Sequence, residues 1–393
     1  MGSTTDPRPL IVHVVYRFAV GGLENGIVNL VNRMPERSWR HAIVALTDAS
    51  EEFCRRLERD DVAIVALRKP PGHAVGLYPQ LFDLFRARRP AVVHTRNLAA
   101  LEAVVPAWAA RVPARIHGEH GRDMTDVDGT SRRYRIVRRV YRPFVHRYVA
   151  LSHDLERYLI DGIGVPPDRV RHIYNGVDTR RFRPAPDGRA AIAGTPLADP
   201  DAFVVGTVGR MERVKDQANL VQAFLLAIRD QGAAASRLRL ALVGDGPMRG
   251  ELEAMVRAAG AADRVWFAGE RSDVPAMMQG LDCFVLPSLA EGISNTLLEA
   301  MASGLPVVAT RVGANADLME EGATGVAVPR ADPAALAAEI LRYAADPARA
   351  RRHGAAGRAR VEQRFSIDRM VADYEDLYSR AIAGSPRTGS LPR

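Results

Sequence analysis

Seven residues without another charge separate two glutamates, Glu291 and Glu299. Ser294 or Asn295 can cap the start of the helix predicted between them, and Gly304 suits its end. Such a helix points backbone N–H groups and the positive end of its dipole at the preceding loop, which favours a bound phosphate. The two carboxylates could then accept hydrogen bonds from sugar hydroxyls on either side of a diphosphate. The same spacing also fits a capped amphipathic helix with two solvated glutamates.

A second group of charged residues follows the strand-like run FVVGTVG. Arg210, Arg213 and Lys215 all precede the next helical run, where they could neutralise a diphosphate leaving group. Lys215 and Lys69 are the only lysines, since every other basic residue in this chain is arginine. An ammonium is a compact point charge, so a lysine here indicates phosphate contact, although a solvated surface lysine would have the same sequence.

Two further motifs lie in the first half of the chain. Gly21 and Gly22 separate a strand-like run from a helical one, which would let the backbone approach a ligand closely. Neither a G-x-G-x-x-G fingerprint nor a P-loop occurs. His117, Glu119 and His120 follow another strand and could bind a metal, relay a proton or donate to a substrate oxygen. With no matching ligand cluster elsewhere, we expect no metal site.

Residues 131–148 combine seven arginines with tyrosine, isoleucine, valine and phenylalanine. On a helix this pattern gives an apolar stripe flanked by cations, as in helices that lie on an anionic membrane surface. An RNA-binding strip or a solvated helix of an arginine-rich protein would look the same.

The composition is that of a globular protein, with 47% hydrophobic and 25% charged residues among 393. Only two cysteines occur, which argues against a disulfide framework and fits a reducing cytoplasm. The chain begins without the apolar core of a signal peptide and has no apolar run long enough to cross a bilayer. The net charge of +8 is concentrated in the first half, as expected of a surface that faces something anionic.

Short apolar runs alternate with helical stretches along most of the chain. The pattern predicts an α/β protein with two doubly wound, Rossmann-like domains and a ligand cleft between them. The boundaries that we expect are a first domain at 1–183, a Pro- and Gly-rich linker at 184–202, a second domain at 203–364, a C-terminal helix at 365–383 and a disordered tail at 384–393.

With these stretches in place, the chain resembles the retaining glycosyltransferases of family 4, which have the GT-B fold. The resemblance covers nearly all of residues 10–380, and five stretches carry it: DCFVLPSLAEGISNTLLEAMASGLPVVAT, VGRMERVKD, LVGDGP, IYNGVD and GGLEN. The stretches IVHVVYRFAVGGLENGIVNLVNRMP and RIHGEHGRDM are similar to a narrower group, the sugar transferases of exopolysaccharide and PEP-CTERM/exosortase systems.

The resemblance implies the site. The donor would be a nucleotide sugar, for which we expect a UDP-sugar, with no cofactor and no metal. The implied catalytic residues are Arg210, Lys215, Glu291 and His120. The implied donor-binding residues are Gly22, Gly244, Glu270, Ser272, Val274, Ser294, Asn295, Thr296 and Glu299. The resemblance also implies that the C-terminal helix returns to the first domain.

The family expectation is a same-face displacement that retains the anomeric configuration. The acceptor would be a lipid-linked saccharide or a polysaccharide precursor at the inner face of the cytoplasmic membrane, with residues 131–148 contacting the lipid surface. A sugar-nucleotide 2-epimerase shares this architecture and is the alternative enzyme. A non-catalytic nucleic-acid-binding protein would suit the pI of about 9.8 but leaves Glu291, Glu299 and Lys215 without a role, so we expect no nucleic acid partner.

Overall fold

The structure is a computed structural model, and it describes residues 6–121, 126, 129–186, 188–192, 194–195, 197–230 and 232–384. The chain divides into two compact units. The first comprises Met1–Asn175 and Ile367–Arg393, and the second comprises Gly176–Ser366. The tail expected to be disordered falls almost wholly on 385–393, outside the described residues.

In the described part of the first unit, seven parallel strands form one sheet in the order β3-β2-β1-β4-β5-β6-β7. The strands are β1 (Leu10–Val15), β2 (Arg40–Ala45), β3 (Ala63–Ala66), β4 (Val92–Arg96), β5 (Ala114–Glu119), β6 (Arg147–Ala150) and β7 (Val170–His172). Every residue of β1, β4 and β5 is buried, because helices cover both faces of a parallel sheet.

The helices of the first unit lie between these strands in the chain. They are α1 (Gly22–Arg33), α2 (Glu51–Cys54), α3 (Tyr78–Arg88), α4 (Asn97–Leu101), α5 (Val104–Ala109), α6 (Arg132–Tyr141) and α7 (His153–Arg157). The apolar face of α1 packs on one side of the sheet, where Ile27, Val28 and Val31 join a core with Val15 and Ile43.

The second unit has the same kind of architecture, with a parallel sheet in the order β10-β9-β8-β11-β12-β13. Its strands are β8 (Phe203–Val208), β9 (Leu238–Val243), β10 (Val265–Gly269), β11 (Cys283–Leu286), β12 (Val307–Thr310) and β13 (Gly325–Val328). Its helices are α8 (Gln217–Ala227), α9 (Ala233–Ser236), α10 (Arg249–Ala258), α11 (Val274–Gln279), α12 (Asn295–Ala302), α13 (Asn315–Leu318), α14 (Pro333–Ala345) and α15 (Pro347–Arg364).

The last helix, α16 (Ile367–Ala383), belongs to the first unit although it follows the second in the chain. The indole of Trp39 donates to Glu375 at 2.9 Å, and the hydroxyl of Tyr378 lies 2.8 Å from Nδ1 of His94. The two doubly wound α/β units and the return of the C-terminal helix to the first of them are therefore confirmed.

The described residues of 184–202, the segment expected to be a linker, belong to the second unit. The guanidinium of Arg189 pairs with Asp282 at 3.1 Å, and Leu197 is fully buried. The strand β7 has no counterpart in the sequence analysis. Among the described residues, no helix combines the length and the apolarity that a membrane crossing requires.

Candidate functional site

The helix α12 begins as the sequence predicts. Ser294 is its N-cap, and the Ser294 hydroxyl accepts a hydrogen bond from the backbone N–H of Leu297 at 3.3 Å. The hydroxyls of Ser294 and Thr296 lie 3.2 Å apart. Gly304 ends the helix at a φ of 75°, a left-handed conformation that favours glycine. Because α12 follows β11, its amino end lies at the carboxyl edge of the second sheet, where ligands of this architecture bind.

The loop before α12 carries Glu291 into contact with Lys215. Nζ of Lys215 lies 2.7 Å from Oε1 of Glu291, and the hydroxyl of Ser288 donates to the same oxygen at 2.6 Å. The backbone joins the two segments as well, since the N–H of Leu289 donates to the carbonyl of Val214 at 2.8 Å. The structure therefore brings the cation and the first carboxylate of the sequence motif together.

A glycine from a neighbouring loop holds the Glu291 loop in place. A methyl group built on Gly313 would lie 1.9 Å from the carbonyl oxygen of Glu291, and Gly313 has a φ of 51°. The N–H of Ala314 donates to the carbonyl of Gly292 at 3.1 Å. Any side chain at Gly313 would push the carboxylate loop out of position, so this glycine supports the site although the sequence analysis did not select it.

Asn295, Thr296 and Glu299 occupy the partly exposed side of α12, whereas Leu297 and Leu298 are buried. Asn295 and Glu299 are four residues apart and so share one face of the helix. Because that face begins at the amino end of α12, the Glu299 carboxylate lies one turn from the N–H groups at the helix start.

Arg210 follows β8 but points its charge at solvent. Its Nε pairs with Glu212 at 3.0 Å, and 73% of its side chain is exposed. The structure thus does not bring Arg210 onto Glu291 as it does Lys215. The carbonyl of Arg210 accepts a hydrogen bond from the side-chain amide of Gln217 at 3.0 Å, which ties the turn to α8.

Gly244 directly follows β9, and its backbone lies in close contact with the backbone of Gly209 and Gly269. A methyl group built on it would lie 2.1 Å from the carbonyl oxygen of Gly209, and its N–H donates to the carbonyl of Gly269 at 2.8 Å.

The loop after β10, residues 270–274, contains Glu270 and Ser272, which are both exposed, and Val274, where α11 begins. Within that loop Arg271 pairs with Asp273 at 2.7 Å.

The histidine motif of the first unit contains a buried ion pair. Oε1 of Glu119 lies 2.6 Å from Nε of Arg138 and 3.3 Å from Nε2 of His117. Burial opposes ionisation of Glu119, but Arg138 and His117 outweigh it and hold the carboxyl pKa below its ordinary value. Arg138 is therefore a structural cation inside the first unit, although it belongs to the stretch 131–148 that we expect to contact a lipid surface.

His120 lies at the end of β5 with neither ring nitrogen hydrogen-bonded among the described residues. Its backbone N–H donates to the side-chain oxygen of Asn97 at 2.7 Å, which fixes its position. Burial, and then the charge of Arg96, hold the pKa of His120 well below its ordinary value, so the ring is neutral.

Gly22 is exposed at the amino end of α1, as a glycine that a ligand approaches closely requires.

Sequence analysis did not select Arg96, the last residue of β4. It is 2% exposed, and its Nη1 lies 3.0 Å from Nδ1 of His13. Its position at the carboxyl end of a strand was the available signal, but one arginine among so many carries little information. Ser288, which holds Glu291, was missed for a similar reason, since a serine after a strand is common.

One group of residues in the described ranges could hold a metal ion. His153, Glu156 and His172 have donor atoms within 4.8 Å of one another, at the junction of α7 and β7 in the first unit. His117 and His120 are not part of it.

Comparison with known proteins places the two units in a family. Residues 20–181 match the family described as Glycosyltransferase Family 4, and residues 202–346 match the one described as Glycosyl transferases group 1. These matches cover most of both units.

Two relatives illustrate the similarity. A D-inositol 3-phosphate glycosyltransferase of Streptomyces bingchenggensis (strain BCW-1) is 29% identical over 62% of this chain and 55% of its own length. The lipopolysaccharide core biosynthesis mannosyltransferase LpsB of Rhizobium meliloti (strain 1021) is 36% identical over 52% of this chain and 60% of its own length. The matched part thus spans little more than half of each relative.

The crystal structure of Anabaena HepE in complex with UDP and glucose superposes with a TM-score of 0.77 at 22% identity, covering 95% of this chain and 100% of that one. At this identity the likeness bears on the fold alone. The likeness shows the GT-B fold, and the two matched family descriptions show that this chain belongs to the glycosyltransferases of family 4.

Proposed function

We propose that this protein transfers a sugar from a nucleotide diphosphate sugar, which we expect to be a UDP-sugar, to an acceptor in bacterial cell-envelope glycan or exopolysaccharide synthesis. The observation that carries the proposal is the contact of Lys215 with Glu291 in the loop that leads into α12. A cation, a carboxylate and a set of helix N–H groups in one small region suit a sugar joined to a diphosphate.

Each group has a role in the proposed reaction. Breaking the anomeric bond leaves negative charge on the diphosphate, which Lys215, Arg210 and the N–H groups at Asn295 and Thr296 would stabilise. Glu291 would accept hydrogen bonds from hydroxyls of the transferred sugar, and Glu299 from those of the ribose. The loop at Glu270, Ser272 and Val274 would border the base, and Gly244 would keep the neighbouring turn close.

The first unit would contribute Gly22 and His120. The neutral ring of His120 can donate one hydrogen bond to an oxygen of the reacting sugar. We propose that the displacement occurs on one face of the sugar, with the leaving phosphate accepting the acceptor proton, so that the anomeric configuration is retained. Family membership and HepE, crystallised with UDP and glucose, support this assignment.

A panel of nucleotide sugars tests the donor. We expect one nucleotide sugar to raise the melting temperature of the full chain, because a ligand that binds only the folded state adds about 2.7 kcal/mol at 100 times its Kd. Thermal shift across UDP-, GDP- and ADP-sugars would measure it, and NMR of the product would report the anomer. No stabilisation by any donor, or release of an epimerised nucleotide sugar without acceptor, would contradict the proposal.

The acceptor is proposed to be a lipid-linked saccharide or polysaccharide precursor, reached from the cytoplasmic membrane surface. Its support is the outer face of α6, where Ile136 and Val140 are 58% and 60% exposed. Trp108 of α5 is 53% exposed and packs edge-on against Phe144. Arg133 is also exposed on α6, so apolar and cationic groups occur together as in interfacial helices.

Vesicle co-sedimentation tests this surface. We expect Ile136→Glu to reduce binding to vesicles that contain anionic lipid about fivefold or more, since it removes apolar contact and adds a repelled charge. The matched control is Leu226→Glu on α8, because Leu226 is also exposed, at 43%. Equal binding by the parent and both variants would refute a membrane role for α6.

A further inference from the structure

A buried cation in the first unit is not explained by the proposed contacts with the donor. Arg96 has no carboxylate oxygen within 4.0 Å in the part of the chain that the structure describes, although it is almost fully buried. Removing a cation from water without pairing it is costly. A chain that keeps one at the carboxyl end of a central strand therefore suggests that its partner is supplied from outside.

Arg96 sets the proton positions of its neighbours. A guanidinium can only donate, so Nδ1 of His13 must accept from Arg96 at 3.0 Å. The Tyr378 hydroxyl lies 2.8 Å from Nδ1 of His94, and when it donates there the proton of the His94 ring is on Nε2.

Several buried side-chain nitrogens without a hydrogen-bond partner among the described residues lie on the strands around Gly118. Arg96 is paired with Gly118 across β4 and β5. A methyl group built on Gly118 would lie 3.1 Å from Nε2 of His94 and 2.8 Å from Nε2 of His120. Neither of these nitrogens, nor Nε of Arg96, has a hydrogen-bond partner among the described residues. A buried guanidinium with an unpaired N–H, beside imidazole rings that can each donate one hydrogen bond, suits an oxyanion.

A carboxylate of the protein lies close to this cluster. Glu24, in the first turn of α1, folds back to accept a hydrogen bond from its own backbone N–H, and it is attracted by Arg96. Its Oε2 lies so near Gly21 that a methyl group there would be 2.2 Å away. Gly22 beside it is exposed, so this end of α1 faces solvent.

We propose that Arg96 and His94 form a binding site for a phosphate group of the acceptor, and that the carboxylate of Glu24 competes for this site in the free protein. The inference rests on the proposed transfer reaction, because it concerns the acceptor of that reaction. It is separate from the donor diphosphate, for which the second unit has its own cation and helix end. The phosphate could belong to a lipid-linked saccharide or to a soluble sugar phosphate.

Calorimetry on the full chain with inorganic phosphate tests the site, and UDP serves as the probe of the donor site. We expect Arg96→Gln to weaken phosphate binding by at least about tenfold, since it removes a charge-assisted contact, while the Kd for UDP changes less than about twofold. Arg96→Lys should recover part of the phosphate affinity. Glu24→Gln should strengthen phosphate binding about threefold or more, because the competing negative charge is gone.

The outcomes separate this inference from the proposed function. Phosphate affinity that is lost in Lys215→Gln but kept in Arg96→Gln would place the anion at the donor site and overturn the inference. If Arg96→Gln fails to fold by circular dichroism, an unchanged phosphate Kd in Glu24→Gln overturns it. If the parent protein does not bind UDP, the donor assignment is refuted instead. Transfer to a soluble glycosyl phosphate would identify a soluble sugar phosphate as the acceptor. Transfer only to a polyprenyl-linked saccharide in detergent would identify a lipid-linked acceptor.

Discussion

Lys215→Ala is expected to lower kcat for sugar transfer on the order of 10²–10³-fold, as removal of a group that stabilises transition-state charge does. The ammonium lies 2.7 Å from Glu291 in the loop before α12, where the leaving diphosphate is proposed to bind. Lys215→Arg should restore only part of the rate, because a planar guanidinium does not replace a compact ammonium. Initial rates with saturating donor and acceptor measure the effect.

The chain contains a matched control in its other lysine. Nζ of Lys69 is exposed and donates to the carbonyl of Pro70 at 2.9 Å in the first unit. Lys69→Ala removes the same charge and the same side chain, so its rate should stay within about twofold of the parent. A Lys215→Ala protein that folds and transfers sugar at the parent rate would disprove the assignment of Lys215 to the leaving group.

Arg138→Ala is expected to destabilise the protein by about 3–5 kcal/mol, the usual cost of leaving one member of a buried ion pair without its partner. Glu119 is 1% exposed and would keep only its contact with His117. Urea denaturation at neutral pH measures the loss. Arg133→Ala, on the exposed face of the same helix, is the control and should change stability by less than about 0.5 kcal/mol.

The same pair predicts a dependence on pH. The pKa of Glu119 in the folded state lies below its ordinary value of 4.5, so the unfolded chain binds the proton more readily. The stabilisation is present above pH 4.5 and is lost as the pH falls through and below that value. Replacing both residues, as in Glu119→Gln with Arg138→Met, should flatten this acid slope. An equally steep slope in the double variant would show that other carboxyl groups dominate it.

The sequence predicted the alternation of elements well because each central strand is an apolar run set off by turns. It missed β7, because Val170–His172 is short and only partly buried, so no apolar pattern marks it. The helical character of the sequence extends over about 333–383, but the structure divides this stretch into α14, α15 and α16. Asp346, which caps α15 by accepting from the N–H of Arg349, precedes Pro347, and this Asp-Pro pair marks the break between α14 and α15.

Local chemistry made part of the candidate site predictable. Lys215 can be recognised because it is one of two lysines in a chain rich in arginine. The helix after Glu291 can be recognised by its serine cap and its terminal glycine. The supporting residues depend on contacts that the sequence does not contain. Gly313 matters only because a distant carbonyl lies against it, and Arg96 only because its burial removes it from the many solvated arginines.

The place of α16 in the fold bears on the order in which the chain acquires structure during synthesis. The second unit is one continuous segment, Gly176–Ser366, and every residue of it has left the ribosome before α16 does. The first unit, although it emerges earlier, lacks the cover for His94 and Trp39 until α16 has emerged. The nascent protein therefore completes its later half first, and a chaperone that binds exposed apolar surface would find it on the earlier half.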